Sequence, residues 1–232
     1  MLAAAGSSSA LRPFAHEDFP RDCRRADFRS DASPVRALFC PARGTAAVIV
    51  LHGCGGFGEI DHRLTAELPS YGIATLYVDY FEPTPPPGRT GFCNAFAAFG
   101  SAFPTWERVV ANAAAALRAR GEKRLGIAGW SMGGGLALAS AVDVGGFAAL
   151  AVLSAFAHDV GDAAALPPTI VLSGGRGDAV PVSEAIALHR ALVAAHVPTE
   201  LHVYPHGNHQ WKGRKGDAAI RWIGSFLRRQ LL

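Results

Sequence analysis

The sequence has no long apolar run and no long basic run, and each absence excludes a class of protein. No segment approaches the ~18 consecutive apolar residues that a membrane-spanning helix needs. Lysine and arginine occur in runs of no more than two or three, and the 22 basic residues are nearly balanced by 19 acidic ones. Because nucleic-acid-binding proteins carry clustered positive charge, the sequence predicts neither a membrane protein nor a nucleic-acid partner.

Cysteine is scarce, and its spacing does not fit a metal or disulfide framework. The four cysteines, Cys23, Cys40, Cys54 and Cys93, show no Cys-x-x-Cys spacing. They predict free thiols in a soluble, cytoplasmic protein. The opening stretch, "MLAAAGSSSALRPFAHEDFP", has neither the basic start nor the unbroken apolar stretch of a signal peptide. It predicts a loose tail over residues 1–30, followed by a single domain over residues 31–232.

Half of the residues are hydrophobic, and they fall into short apolar runs that alternate with amphipathic ones. The apolar runs predict strands at 46–52, 73–79, 124–130, 147–154, 169–174 and 200–205, with an edge strand at 35–41. Helical spacing of apolar residues predicts helices at 105–120, 182–195 and 217–232. Strands that alternate with helices indicate an α/β fold, with a mostly parallel sheet covered by helices on both faces. Ligands of such sheets bind beyond the carboxyl ends of the strands.

One strand end carries the pattern of a nucleophile elbow. The strand at 124–130 runs into "SMGGGLALASA", a helix start, and gives Gly129-x-Ser131-x-Gly133. A serine on such a strained turn needs small residues two positions before and after it, so that its hydroxyl stands clear at the helix N-terminus. The alternative is a glycine-rich turn with an incidental serine. The strand–turn–helix context favours Ser131 as a nucleophile.

A second strand end supplies backbone donors. The strand at 46–52 is followed by "GCGGFGE", whose glycines let the main chain approach a ligand closely. We expect the N–H groups of Cys54 and Met132 to form an oxyanion hole. A phosphate-binding loop is the alternative, but the segment lacks the Lys-Ser/Thr of a Walker loop and does not fit G-x-G-x-x-G.

An acid and a base are expected after later strands, in the chain order serine, acid, histidine. Asp178 follows the strand at 169–174, and Asp159 and Asp162 are alternatives after the preceding strand. Asp79 also ends a strand, but it precedes the serine and is expected to be structural.

Three histidines, His202, His206 and His209, stand at the last strand. His202 alternates within the strand, whereas the other two follow it and are equal candidates for the base by residue type alone. A metal site is the other possibility, but no acidic or cysteine ligand adjoins the cluster, so we expect no metal.

The segments "LHGCGGFG", "YGIATLYVDYF", "GWSMGG", "GGRGDAVP" and "YPHGNHQW" resemble, in this order, the dienelactone hydrolase family of α/β-hydrolases. The resemblance covers residues 35–230 and implies the α/β-hydrolase fold. In that family an aromatic residue lies two positions after the catalytic histidine, which implies His209, since Trp211 follows it. The best-known members use a cysteine nucleophile and carry a glutamate on the strand before the oxyanion loop. This chain has Ser131 and "VLHG" instead, which favours serine-esterase chemistry over lactone specificity.

The resemblance also suggests where a substrate binds. Those lactonases hold a substrate carboxylate with arginines, and Arg89 and Arg214 are loosely placed candidates here. Phe57, Trp130 and Trp211 are candidates for the pocket lining, with core packing as the alternative for each. Fewer than twenty residues separate the strands at 147–154 and 169–174, so no cap domain is expected and the substrate should be small.

The sequence therefore predicts a hydrolase of small esters, thioesters or lactones that uses Ser131, His209 and Asp178, without a cofactor, as a monomer or homodimer. An acyl transferase or peptidase with the same three residues is one alternative. A non-catalytic ligand receptor on a hydrolase scaffold is another.

Overall fold

In the computed structural model of the protein, which describes residues 19–86, 91–93, 99–157 and 161–232, a single large sheet runs through the molecule. Its strands and those of a small hairpin are β1 (Arg24–Arg25), β2 (Phe28–Ser30), β3 (Ser33–Val35), β4 (Ala37–Cys40), β5 (Ala46–Leu51), β6 (Ala74–Val78), β7 (Arg124–Trp130), β8 (Ala149–Leu153), β9 (Thr169–Gly174) and β10 (Thr199–Tyr204). The eight-stranded sheet has the order β1-β4-β6-β5-β7-β8-β9-β10, and β2 pairs with β3 separately. Strand β4 is antiparallel to both of its neighbours, β1 and β6. The following strands in this order, β6-β5-β7-β8-β9-β10, are all parallel to one another.

In the described part of the chain, five α-helices cover both faces of this sheet: α1 (Glu59–Glu67), α2 (Phe99–Ala119), α3 (Met132–Asp143), α4 (Val182–Ala194) and α5 (Gly213–Leu231). Strand β5 shows how the two layers form, because its successive side chains enter opposite cores. Ile49 packs in the core beneath α2, α3 and α4, whereas Val48 and Val50 pack in the core beneath α1 and α5. Every residue of β5 is buried, as a strand between two helical layers requires. The predicted α/β fold with helices on both faces is confirmed.

The first described residues are packed, which differs from the predicted loose tail over residues 1–30. Phe19 and Cys23 are 7% and 2% exposed and join the core beneath α1 and α5. Strand β1 pairs with β4, and a disulfide joins Cys23 to Cys40. These contacts fix the chain from about residue 19 onward. Residues 1–18, the rest of the predicted tail, lie outside the described residues.

The prediction of free thiols is wrong, because all four cysteines are paired. One disulfide joins Cys23 and Cys40, and the other joins Cys54 and Cys93. The partners are 17 and 39 residues apart, and pairing at such separations depends on the folded path of the chain. Spacing rules that look for neighbouring cysteines therefore miss both bonds. Among the described helices, none is long and apolar enough to cross a membrane.

Candidate active site

Ser131 stands at a sharp turn between β7 and α3. Its backbone has φ 57° and ψ −121°, a strained conformation for a residue with a side chain. The flanking glycines are required sterically: a Cβ at Gly129 would lie 2.1 Å from the Gly133 carbonyl oxygen, and one at Gly133 would lie 2.3 Å from the His52 carbonyl oxygen. The sequence pattern thus forms the predicted elbow, with the first turn of α3 pressed against the end of β5.

The loop after β5 lies beside this turn and presents Cys54. Its chain turns tightly, since the Gly56 N–H donates to the Gly53 carbonyl at 3.0 Å. Neither the Cys54 N–H nor the Met132 N–H has a hydrogen-bond acceptor among the described residues. Met132 opens α3, so its N–H lies at the positive end of the helix dipole. Two N–H groups near a serine that have no acceptor in the described part of the chain have the chemistry to bind an oxyanion.

His209 reaches Ser131 from the turn after β10. Its Nε2 lies 3.0 Å from the Ser131 Oγ, within hydrogen-bond distance. The Trp130 indole N–H donates to the His209 carbonyl at 3.2 Å, and the two rings lie 5.2 Å apart. Trp130 also contacts Gly53, where a Cβ would lie 2.8 Å from the indole. The indole therefore lies between the turn after β10 that carries His209, the histidine turn, and the loop after β5 that carries Cys54, the Cys54 loop.

Asp178 contacts His209 through the backbone rather than the ring. The Asp178 Oδ1 accepts a hydrogen bond from the His209 N–H at 2.7 Å. The buried His209 Nδ1 has no hydrogen-bond partner among the described residues. The carboxylate thus stands next to the histidine, as chain order predicted, but does not bond to the ring nitrogen that faces away from Ser131.

Lys215, which the sequence analysis did not single out, holds the histidine turn from α5. Its ammonium donates to the side-chain Oδ1 of Asn208 at 2.7 Å and to the Asn208 carbonyl. The lysine is only 7% exposed. Burial lowers the pKa of His209; the Asp178 charge opposes this shift, and the Lys215 charge adds to it. Burial therefore favours the neutral form of this imidazole.

Comparison with known proteins identifies the family. The profile of the dienelactone hydrolase family matches residues 37–221. The chain belongs to the dienelactone hydrolase family. This makes it a hydrolase of the α/β-hydrolase superfamily, and the resemblance seen in the motifs is confirmed. None of the curated proteins compared matches the chain in sequence.

Solved structures share the fold of this dienelactone hydrolase family member at low sequence identity. A dienelactone hydrolase from Anabaena variabilis is 17% identical with a TM-score of 0.72, over 91% of this chain and all (100%) of that one. A dienelactone hydrolase-like promiscuous phosphotriesterase from metagenomic libraries is 14% identical with a TM-score of 0.73, over 90% and 98%. An esterase of the bacterial hormone-sensitive lipase family is 22% identical with a TM-score of 0.63, over 91% and 86%.

The other two histidines near the site of this family member have different surroundings. His202 stacks on Trp222 at 4.6 Å and lies 3.1 Å from a Glu200 carboxylate oxygen. His206 is exposed and lines an open cavity of about 360 Å³ together with Arg176, Lys212 and Lys215. Within the described ranges no three His, Cys, Asp or Glu side chains group as metal ligands. The geometry favours His209 over His206 as the partner of Ser131.

Two of the other acidic residues considered for the site, Asp162 and Asp79, have structural contacts of their own. Asp162 accepts a hydrogen bond from the Ala164 N–H at 3.0 Å and caps a short 3₁₀ helix. Asp79 binds the Arg36 guanidinium at 2.8 Å, in keeping with its expected structural role. Asp159 lies outside the described residues.

The residues suggested for substrate contacts separate into different environments. Trp211 is 1% exposed and donates to the Ser154 hydroxyl at 3.0 Å, so it belongs to the core and not to a pocket lining. Phe57 is half-buried, with its ring 4.9 Å from that of Tyr77. Arg214 is exposed in the first turn of α5. Arg89 lies outside the described residues.

Proposed function

We propose that this protein is a serine hydrolase that cleaves small carboxylic esters, thioesters or lactones with Ser131, His209 and Asp178. The observation that carries the proposal is the 3.0 Å approach of His209 Nε2 to the Ser131 Oγ on a strained elbow. A serine hydroxyl is a weak nucleophile until an adjacent base accepts its proton. Burial lowers the pKa of His209, which favours the unprotonated form that such a base needs.

In the first half of the reaction, Ser131 Oγ attacks the carbonyl carbon as its proton moves to His209 Nε2. The carbonyl oxygen becomes an oxyanion, which the N–H groups of Cys54 and Met132 stabilise. Each such donor is worth about 10²–10³ in kcat. His209 then gives the proton to the leaving alcohol or thiol, and an acyl-enzyme remains on Ser131.

In the second half, His209 accepts a proton from water, and the hydroxide formed attacks the acyl-enzyme. The acid departs and the proton returns to Ser131. Asp178 stabilises the imidazolium that forms in both halves. A rotation of its carboxylate toward His209 Nδ1 would give that buried nitrogen its missing partner, and hydrogen bonds of this kind often tighten only when substrate binds.

The short connection between β8 and β9 supports a small substrate. It comprises residues 154–168, and its described part contains one 3₁₀ helix, Ala163–Ala165. A cap domain over the site does not fit in a segment of this length. We therefore expect short acyl chains to be better substrates than long ones. No cofactor takes part in this chemistry.

The test is hydrolysis of p-nitrophenyl esters from acetate to octanoate, a dienelactone and a phosphotriester, the last because one structural neighbour is named for that activity. Ser131→Ala and His209→Gln should each lower kcat by about 10⁶-fold. His206→Gln is the matched control and should retain kcat, since this histidine lies in the neighbouring cavity. Equal losses at both histidines would refute the assignment of the base.

The same panel separates the alternatives. A wild-type protein that binds esters without a burst or steady turnover would be a receptor. Turnover that accelerates only when an alcohol or amine acceptor is added would indicate an acyl transferase, and preference for acylated peptides would indicate a peptidase.

The cytoplasmic location stays a prediction, and the two disulfides argue against it. Disulfides persist mainly in oxidising compartments and are rare in the cytosol. We infer that the protein works where these bonds are maintained. Alkylation of thiols in intact cells, followed by mass spectrometry, tests this: labelled Cys54 or Cys93 would show a reducing location.

A further inference from the structure

Cys54, whose N–H is a proposed oxyanion donor, is held by residues 91–93 in three ways. Its sulfur is bonded to Cys93. Its carbonyl accepts a hydrogen bond from the Phe92 N–H at 2.8 Å. Gly91, at φ 65°, packs so closely that a Cβ there would lie 2.1 Å from the same carbonyl oxygen. The side chain and carbonyl of Cys54 are thus fixed, while its N–H has no acceptor among the described residues.

The segment 91–93 is itself anchored in the core by Phe92. This side chain is 2% exposed, and its ring lies 4.9 Å from the rings of both Phe81 and Trp106. Trp106 is fully buried in α2. A continuous path therefore runs from the core through Phe92 and the disulfide to Cys54.

The oxyanion loop needs such an anchor because of its composition. Gly53, Gly55, Gly56 and Gly58 surround Cys54, and glycine gives the chain the largest conformational freedom. Close packing requires it at Gly53, where a Cβ would lie 2.8 Å from Trp130. An oxyanion donor stabilises a transition state only if it is held at 2.7–3.1 Å from the developing charge before the reaction, as is general for such sites. A loop rich in glycine does not hold its N–H in place without an external tether.

We propose that the Cys54–Cys93 disulfide positions the Cys54 N–H for oxyanion stabilisation, so that Cys93 is a positioning residue and turnover depends on the redox state of this pair. The proposal rests on the proposed function. A dithiol reduces this bond by transferring two electrons and two protons to it. Cys54 and Cys93 become thiols, and the dithiol is oxidised to a cyclic disulfide. The tether is then lost, although both residues remain.

The two disulfides differ in accessibility, which provides an internal control. Cys54 and Cys93 are half-buried, whereas Cys23 and Cys40 are 2% and 1% exposed. A dithiol must reach a sulfur atom to attack it, so mild dithiothreitol should open the Cys54–Cys93 bond first.

The experiment compares Cys54→Ser/Cys93→Ser with Cys23→Ser/Cys40→Ser, using the ester that the wild type hydrolyses best. Both variants are assayed well below their unfolding temperatures, with folding checked by circular dichroism. The first should lose about 10²-fold in kcat with KM nearly unchanged, because the N–H acts in the transition state. Its affinity for a trifluoromethyl ketone, which forms a tetrahedral oxyanion on the serine, should fall to a similar extent. The second should keep kcat and lose only thermal stability.

Reduction of the wild type gives a second measurement that needs no variant to fold. Dithiothreitol should lower kcat as two thiols appear, reoxidation should restore it, and the Cys54→Ser/Cys93→Ser variant should not respond. The positioning role of the disulfide would be refuted, with the proposed function still standing, by either of two results. One is that the Cys54→Ser/Cys93→Ser variant keeps kcat within twofold; the other is that both disulfide variants lose kcat equally. Absence of Ser131-dependent turnover in the wild type would instead refute the proposed function, and this proposal would fall with it.

Discussion

Asp178 accepts a hydrogen bond from the His209 backbone N–H at 2.7 Å, while the Nδ1 of the same histidine is buried without a partner in the described part of the chain. The contact that Asp178 makes is therefore with the backbone of the turn that carries His209, and it restrains the position of that turn. The ring has no hydrogen bond to this carboxylate in the structure.

Asp178→Asn should lower kcat by about 10⁴-fold, because a neutral amide does not stabilise the imidazolium. The measurement is kcat for the best ester at pH 8. Asp162→Asn is the control, since this residue caps a short 3₁₀ helix on the surface, and it should leave kcat unchanged. If the Asp162 variant loses activity and the Asp178 variant does not, the acid has been misassigned.

The pH dependence of turnover should reflect the environment of His209. Burial lowers its pKa, and the base acts only when neutral, so activity should persist to lower pH than an ordinary histidine allows. We expect the acidic limb of kcat/KM to have its midpoint below about 6.5, the usual histidine value. A profile from pH 4 to 9 measures it. A midpoint at or above 6.5 would mean that the histidine is more exposed to solvent than the structure shows.

Lys215→Met should destabilise the histidine turn and shift the acidic limb of the kcat/KM profile. The variant loses both hydrogen bonds to Asn208, at a cost of about 1–3 kcal/mol in unfolding free energy. It also removes a positive charge that lowers the pKa of His209, so the acidic limb should shift to higher pH. Urea unfolding and the pH profile test the two effects separately. Lys212→Met, at an exposed neighbour, should change the unfolding free energy little.

The glycines of α3 should tolerate substitution very differently. A Cβ at Gly133 would lie 2.3 Å and 2.5 Å from the carbonyl oxygens of His52 and Leu51, so Gly133→Ala should destabilise the fold by about 3 kcal/mol or more and abolish turnover. The nearest atom to a Cβ at Gly135 is 3.9 Å away. Gly135→Ala should therefore stabilise the protein by about 0.5–1 kcal/mol, as helix propensity dictates. Thermal unfolding distinguishes these outcomes, and similar effects at both positions would contradict them.

The sequence was most informative where burial imposes a pattern. The six predicted parallel strands all form. The strands from β5 to β9 are buried along nearly all their length and are apolar on successive residues, as a strand between two helical layers must be, whereas β10 is only half-buried. The elbow at Ser131 was predictable because steric limits at Gly129 and Gly133 leave few residue choices.

Features that depend on the path of the chain were not predictable in the same way. Strands β1 to β3 have two or three residues each, too few to show a period. The pairing of Cys54 with Cys93 depends on a loop returning to the site. Lys215 looks like an ordinary helix charge until α5 is placed against the histidine turn. Trp211 was a candidate for the pocket lining or for core packing, and its ring lies in the core.

Strand β10 lies at one edge of the sheet, and within the described ranges it pairs with β9 alone. Outer strands open locally more often than central ones, at a free energy below that of global unfolding. His209 lies in the turn after this strand, which ends at Tyr204, whereas Ser131 directly follows the central β7. Heating should thus separate His209 from Ser131 while the middle of the sheet is still intact. Loss of activity should therefore occur at a lower temperature than loss of secondary structure.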